Sequence, residues 1–195
     1  MKTQESNENE LVELASTNEI INVEIVIDTD KLISDMKKQG KTPSKIQSSP
    51  TGIDHTYQYM VVSTLANIKG QGTSELTFQA EVGDVVRFNT ISEYNNMDNA
   101  VLLYGIEKFP GTVVNVFNDF SSKVYTKTVI QANNGQSPLP VSYADVKFWF
   151  YESSVAKAGT ENFMISFALY TRVRGQANPV LYGYFQWDPT IVVKF

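Results

Sequence analysis

The chain contains no cysteine. That excludes disulfides, thiolate nucleophiles and thiolate zinc sites together, and it suits a reducing cytoplasm. It has one histidine, His55, too few for a zinc site built on imidazole ligands. Charge is sparse, at 19% of residues, with a formal net charge of −5. No run of Lys and Arg forms a basic stripe, which argues against nucleic acid or anionic membrane as a partner. No apolar run approaches the roughly 18 residues of a membrane-spanning helix, so membrane insertion is not expected. The first 18 residues, Met1 to Asn18, are polar and acidic and lack the apolar segment of a secretory signal. They read as a disordered tail, and the expected location is the cytoplasm.

Catalytic patterns are also missing. No G-x-S-x-G elbow occurs, and Gly70-Gln71-Gly72 lacks the third glycine of a dinucleotide loop and reads as a turn. His55 follows Asp54, but an adjacent carboxylate rarely folds back to orient an imidazole, so His55 reads as a solvated loop residue. Asp28 and Asp30, two apart on a strand end, are too exposed to act as an acid–base pair. The expectation is a protein without enzymatic activity and without a cofactor.

Strand signals dominate what is present. Ile21, Val23, Ile25 and Ile27 alternate with Asn22, Glu24, Val26 and Asp28, the period of a strand with one buried face. Asp28-Thr29-Asp30 ends it, and Leu32, Ile33 and Met36 follow at helical spacing, with Asp30 as the expected cap. Residues 38–56 form a long polar loop. Further strands are expected at 57–62, 76–82, 85–91, 100–109, 113–117, 124–131, 146–152, 163–173, 180–187 and 191–195, the last two as a hairpin, with a hairpin turn at Gly83-Asp84 and turns at Pro110-Gly111 and Asn134-Gly135. About ten strands, one short helix after the first, and no βαβ alternation predict an all-β fold: a two-sheet antiparallel β-sandwich occupying residues 19–195.

Aromatic residues are the most informative feature. The expected strands around Trp149 and Tyr151, Tyr170, and Tyr182 and Tyr184 carry apolar side chains on both faces. A sandwich buries one face of each sheet, so the second face has to meet the 38–56 loop, a second copy of the chain, or a ligand such as a glycan. Asp28, Asp30 and Asp98, with Glu93, Asn95, Asn96 and Asn99, could offer oxygen ligands to calcium, although no EF-hand spacing occurs and a turn-and-cap role explains the first two.

Three segments carry a resemblance. Val26-Ile27-Asp28-Thr29-Asp30, Gly83-Asp84-Val85-Val86-Arg87 and Gly183-Tyr184-Phe185-Gln186-Trp187-Asp188-Pro189-Thr190-Ile191 resemble the bacterial inclusion-body protein family of PixA and AidA, in an order and length that span Ile20 to Phe195. The resemblance implies an intracellular protein, in some members accumulating as inclusions, with expression controlled by cell density or linked to life with a host. It carries over no catalytic residue. From the aromatic residues, the expected function is self-association through the Tyr-rich sheet face, with a lectin-like module that binds a glycan or small ligand as the alternative. The founding member is rich in methionine and this chain has five, a departure that bears on inclusion formation.

Overall fold

The computed structural model describes residues 18–63, 68–133, 135 and 137–195. The expected tail, up to residue 17, and Asn134 of the expected Asn134-Gly135 turn lie outside the described residues.

The alternation in the first segment forms β1 (Ile20–Ile27), with Ile21, Val23, Ile25 and Ile27 all buried. Helix α1 (Thr29–Lys38) follows directly. Its cap is Asp28, whose Oδ1 accepts a hydrogen bond from Lys31 N at 2.9 Å. Asp30, the expected cap, lies in the first turn because the helix starts at Thr29. Leu32 and Met36, four apart, press one face of α1 into the core.

Ten further strands follow among the described residues: β2 (Thr51–Gly52), β3 (Gln58–Val62), β4 (Leu76–Gln79), β5 (Val85–Ser92), β6 (Asn99–Lys108), β7 (Ser121–Gln131), β8 (Ser142–Ser154), β9 (Gly159–Thr171), β10 (Val180–Trp187) and β11 (Thr190–Lys194). They build two sheets. The first runs β3-β1-β5-β8-β7. The second is organised on β9, which pairs with β6 along one edge and with β10 and then β11 along the other. Outside these, β2 borders β10 and β4 borders β11.

The expected two-sheet β-sandwich with one helix after the first strand is therefore what the chain forms. The sheets are mixed rather than purely antiparallel, because β1 runs parallel to β5, β2 to β10 and β4 to β11. Chain crossings between the sheets cause this. Gly83-Asp84 is not a hairpin turn but the crossing from β4 in the second sheet to β5 in the first, made with Gly83 at a φ of +96°. Asp84 holds the crossing, its buried carboxylate accepting from Glu19 N at 2.8 Å and Glu81 N at 2.7 Å.

Two other expectations are corrected. Segment 113–117 forms no strand; Phe117 makes a single bridge to Val155. The amides of Val116 and Phe117 donate instead to Oε2 of buried Glu161, at 2.8 and 3.2 Å. The last two strands are not a hairpin. They lie in line along β9, broken at Asp188-Pro189, where proline has no amide to give the ladder and its carbonyl accepts from Phe163 N.

The core lies between the sheets. Phe88, Phe117, Phe120 and Phe163 join them through ring contacts of 5.6 to 5.7 Å, and Phe167 stacks on Phe185 beside Trp187. Each such ring, taken from water, contributes about 1.5–3 kcal/mol.

Candidate functional site

The five aromatic residues expected on one face do not share one face. Trp149 and Tyr151 stand on β8, in the first sheet, on the face that turns toward the second. Trp149 Nε1 donates to Leu103 O at 2.7 Å and Tyr151 Oη donates to Tyr104 O. Both acceptors lie on β6, at the edge of the second sheet, next to a register shift between Leu103 and Gly105. The two side chains thus satisfy carbonyls that an edge strand leaves unpaired. Burial raises the Tyr151 hydroxyl above its usual range.

Tyr182 and Tyr184 are separated by a bulge between Leu181 and Gly183. The extra residue turns Tyr182 toward the core, where it stacks on Phe185 at 6.3 Å and burial raises its hydroxyl as well. Tyr184 stays on the outer face and meets Tyr104 edge to face at 5.5 Å. Tyr170 is opposite Ala100 and Leu181 at the far end of β9. The alternation rule placed Tyr182 with Tyr184 because it cannot register a bulge.

The 38–56 loop is fastened along β10. Ser44 O accepts from Tyr184 N at 2.9 Å, Ile53 N donates to Gln186 O at 2.9 Å, and Thr51 and Gly52 add the short strand β2. Lys45 Nζ reaches Leu181 O and Tyr182 O at 2.6 and 2.9 Å. Tyr104 Oη donates to Gln47 O at 3.1 Å. Beneath this flap, on the outer face of the second sheet, lies an open groove of about 610 Å³.

The calcium candidates are engaged elsewhere. Asp28 caps α1, Asp30 accepts from Tyr94 Oη at 2.6 Å, and Asp98 pairs with Arg172 at 3.5 Å. Both oxygens of Glu93 are turned onto the start of α1, at Thr29 N, Thr29 Oγ1 and Asp30 N. Among the described residues no group of three acidic or histidine side chains is arranged to hold a metal ion.

His55 is an exposed loop residue, as expected, but a carboxylate stands on each side of its ring. Nδ1 lies 2.7 Å from Glu75 Oε1 and Nε2 lies 3.1 Å from Asp188 Oδ1. Asp54, the neighbour in sequence, bonds Thr56 instead. The carboxylates come from opposite sides of the β4–β11 junction, a pairing that only the fold creates.

A further feature escaped the sequence reading. β7 and β8 are longer than expected and pair with each other along their whole length, from Ser121–Glu152 to Gln131–Ser142. Only Tyr151–Ser154 of β8 pairs with β5. Beyond Trp149, which still reaches β6, the two strands run on as an arm that pairs with no other strand among the described residues. On one face of the arm Val124 is opposite Trp149 and Ile130 opposite Tyr143, with the polar pairs Thr126–Lys147 and Thr128–Asp145 between them. Ile130 is 68% exposed and Tyr143 69%. The arm carries Lys123, Lys127 and Lys147 against Asp145 alone, in a chain of net charge −5. The signal in the sequence was β7 itself, an alternating strand with lysines on one face and threonines with valine and isoleucine on the other.

Among the described residues no helix is long and apolar enough to cross a membrane. The model of the PixA family, described as inclusion body protein, matches residues 19–193. The fold is similar to the crystal structure of an inclusion body protein (PixA) from Burkholderia cenocepacia J2315, with a TM-score of 0.75 and 27% identity over 93% of this chain and 99% of the other. Comparison with the sequences of curated proteins gives no match.

Proposed function

Because the chain belongs to the PixA inclusion body protein family, we propose that it is a non-enzymatic intracellular protein that self-associates, and that the β7–β8 arm is the contact surface rather than a tyrosine-rich sheet face. One observation carries this reading: among the described residues the arm has a free edge along β7, with Val124, Ile130 and Tyr143 exposed. A two-stranded ribbon is marginal by itself in water, and a second copy supplies the missing third and fourth strands.

The sequence of β7 favours a two-fold pairing with itself. An antiparallel pair centred on Thr126 sets Lys127 opposite Tyr125 of the second copy and Lys123 opposite Val129. No like charges face each other, and each lysine lies against an apolar or aromatic side chain. Shifting the centre to Lys127 brings the two lysines face to face, and shifting it to Tyr125 sets Lys123 against Lys127. The same surface patch on both copies gives a closed dimer, from which larger assemblies grow through other contacts.

The absence of cysteine supports the intracellular setting. Control by cell density or by a host is part of the proposal through the family resemblance, and transcript levels in sparse and dense cultures test it.

Light scattering across a range of concentrations tests self-association. Wild type runs as a dimer or larger, and Ile130→Glu with Tyr143→Glu runs as a folded monomer. A wild type that stays monomeric at high concentration, or an arm variant of unchanged mass, overturns the reading.

A further inference from the structure

The groove on the outer face of the second sheet is lined by β6, β9, β10 and the flap, and by no residue of the β7–β8 arm. The geometry points to a binding site there for a neutral polyhydroxylated ligand, a short oligosaccharide.

The floor consists of outward-facing residues of three neighbouring strands: Tyr104 and Glu107 of β6, Met164 and Ser166 of β9, and Gln186 of β10. Gln47 and Pro50 of the flap make one wall. The volume, about 610 Å³, falls within the roughly 300–1,000 Å³ of small-molecule sites. A second depression of about 210 Å³ shares Met164 and Gln186 and runs on to Asp188. The two depressions adjoin at these shared residues.

The flap is fixed before any ligand arrives. Its backbone is bonded to β10 at Ser44, Thr51, Gly52 and Ile53, and Tyr104 ties Gln47 across the groove. A wall already ordered adds little entropy loss on binding. The structure invests in this closure: Gly183 carries no side chain where Pro43 of the flap packs, since a β-carbon there would lie 2.5 Å from Pro43 Cβ.

The lining chemistry selects the ligand class. Glu107 offers a carboxylate, which only accepts, and Gln186 an amide, which donates and accepts. A vicinal diol needs this combination, because each hydroxyl gives one hydrogen bond and takes others. The Tyr104 ring, Met164 and Pro50 supply apolar surface for the C–H face of a sugar ring. No Lys or Arg lines either depression, and Glu107 and Asp188 bring negative charge. Phosphorylated, sulfated and carboxylated ligands are therefore rejected, by repulsion and by the absence of a cation to meet them.

The test is an array of neutral mono- to tetrasaccharides built of hexoses, deoxyhexoses and N-acetylhexosamines, printed beside sialylated and sulfated glycans and probed with the full chain. Neutral glycans bind and the anionic ones do not. Each of Gln186→Ala and Glu107→Ala lowers affinity about tenfold, as expected for losing one strong hydrogen bond, with unchanged melting temperature and unchanged mass in solution. A blank array overturns the proposal. So does binding that persists in both variants, which places the ligand elsewhere, and so does a preference for the anionic glycans. Because the variants leave the arm intact, loss of sugar binding with retained self-association separates this site from the assembly surface.

Discussion

Gly183 and Pro43 share one volume: a β-carbon on Gly183 would lie 2.5 Å from Pro43 Cβ and 2.8 Å from its Cγ. The bulge that exposes Gly183 to the flap also parts Tyr182 from Tyr184. Gly183→Ala is expected to destabilise the protein by about 1–3 kcal/mol, the usual range for overpacking. Limited proteolysis will show earlier cleavage within residues 44–52 than in wild type, and unchanged cleavage sinks the account of the flap.

Trp149 and Tyr151 cap the edge of β6, so their loss is a matter of stability and not of association. Trp149→Phe and Tyr151→Phe each remove one hydrogen bond to a β6 carbonyl. Each is expected to cost about 0.5–1.5 kcal/mol in urea unfolding, with the mass in solution unchanged. A drop to monomer in either variant would return these residues to the assembly surface.

The register proposed for β7 is open to a direct chemical test, because the chain has no cysteine of its own. Thr126→Cys lies on the two-fold axis and forms an intermolecular disulfide under mild oxidation. Thr128→Cys is opposite Val124 of the second copy and does not. Equal cross-linking of both variants contradicts the register, and none in either contradicts the pairing.

Glu161 replaces a strand that the sequence led one to expect. Its buried carboxylate takes the amides of Val116 and Phe117, with Lys108 Nζ at 3.8 Å from the other oxygen. Glu161→Ala leaves both amides without an acceptor, at about 1–3 kcal/mol for each orphaned group. Glu161→Gln keeps an acceptor oxygen and is the milder change. The order Ala worse than Gln, read from denaturant midpoints, is the expected result.

Glu24, on the outer face of the first sheet, has its pKa raised by burial, which outweighs the hydrogen bonds from Asn89. A raised carboxylate binds its proton more tightly in the folded state than in the unfolded one. Its ionisation therefore weakens the fold as pH rises through the ordinary carboxylate value and up to the raised one. Glu24→Gln is expected to gain stability over wild type above that window and to match it below. A variant less stable than wild type at neutral pH refutes this.

Legibility in the sequence followed periodicity. Ile21 to Ile27, Leu76 to Phe78 and Phe163 to Leu169 alternate without interruption, and each forms a strand with the expected face buried. Periodicity fails wherever one residue is inserted, and both bulges fall where aromatic residues stand, at Tyr104 and Tyr182. It also carries no information on which strands are neighbours. Chain order sets Trp149 beside Tyr170 and Tyr184 because their strands are consecutive, yet β8 and β9 belong to different sheets. His55 found its partners at Glu75 and Asp188, and no local spacing encodes such a contact. The arm was visible only as strand signal; that it runs on without a further partner strand depends on β5 pairing with four residues of β8 and no more.

The pairing of β4 with β11 bears on how this protein is made. Leu76 and Phe78 are buried beside Ile191 and Val193, so β4 emerges from the ribosome long before its neighbour. β1, β3 and β5, by contrast, find each other early and in one neighbourhood of the chain. During translation the first sheet assembles while the apolar face of β4 stays uncovered, and chaperone binding at that stage would centre on Leu76–Gln79. A ribosome that pauses before the codon for Ile191 would hold a half-closed sandwich, with one sheet formed and the other still open to solvent.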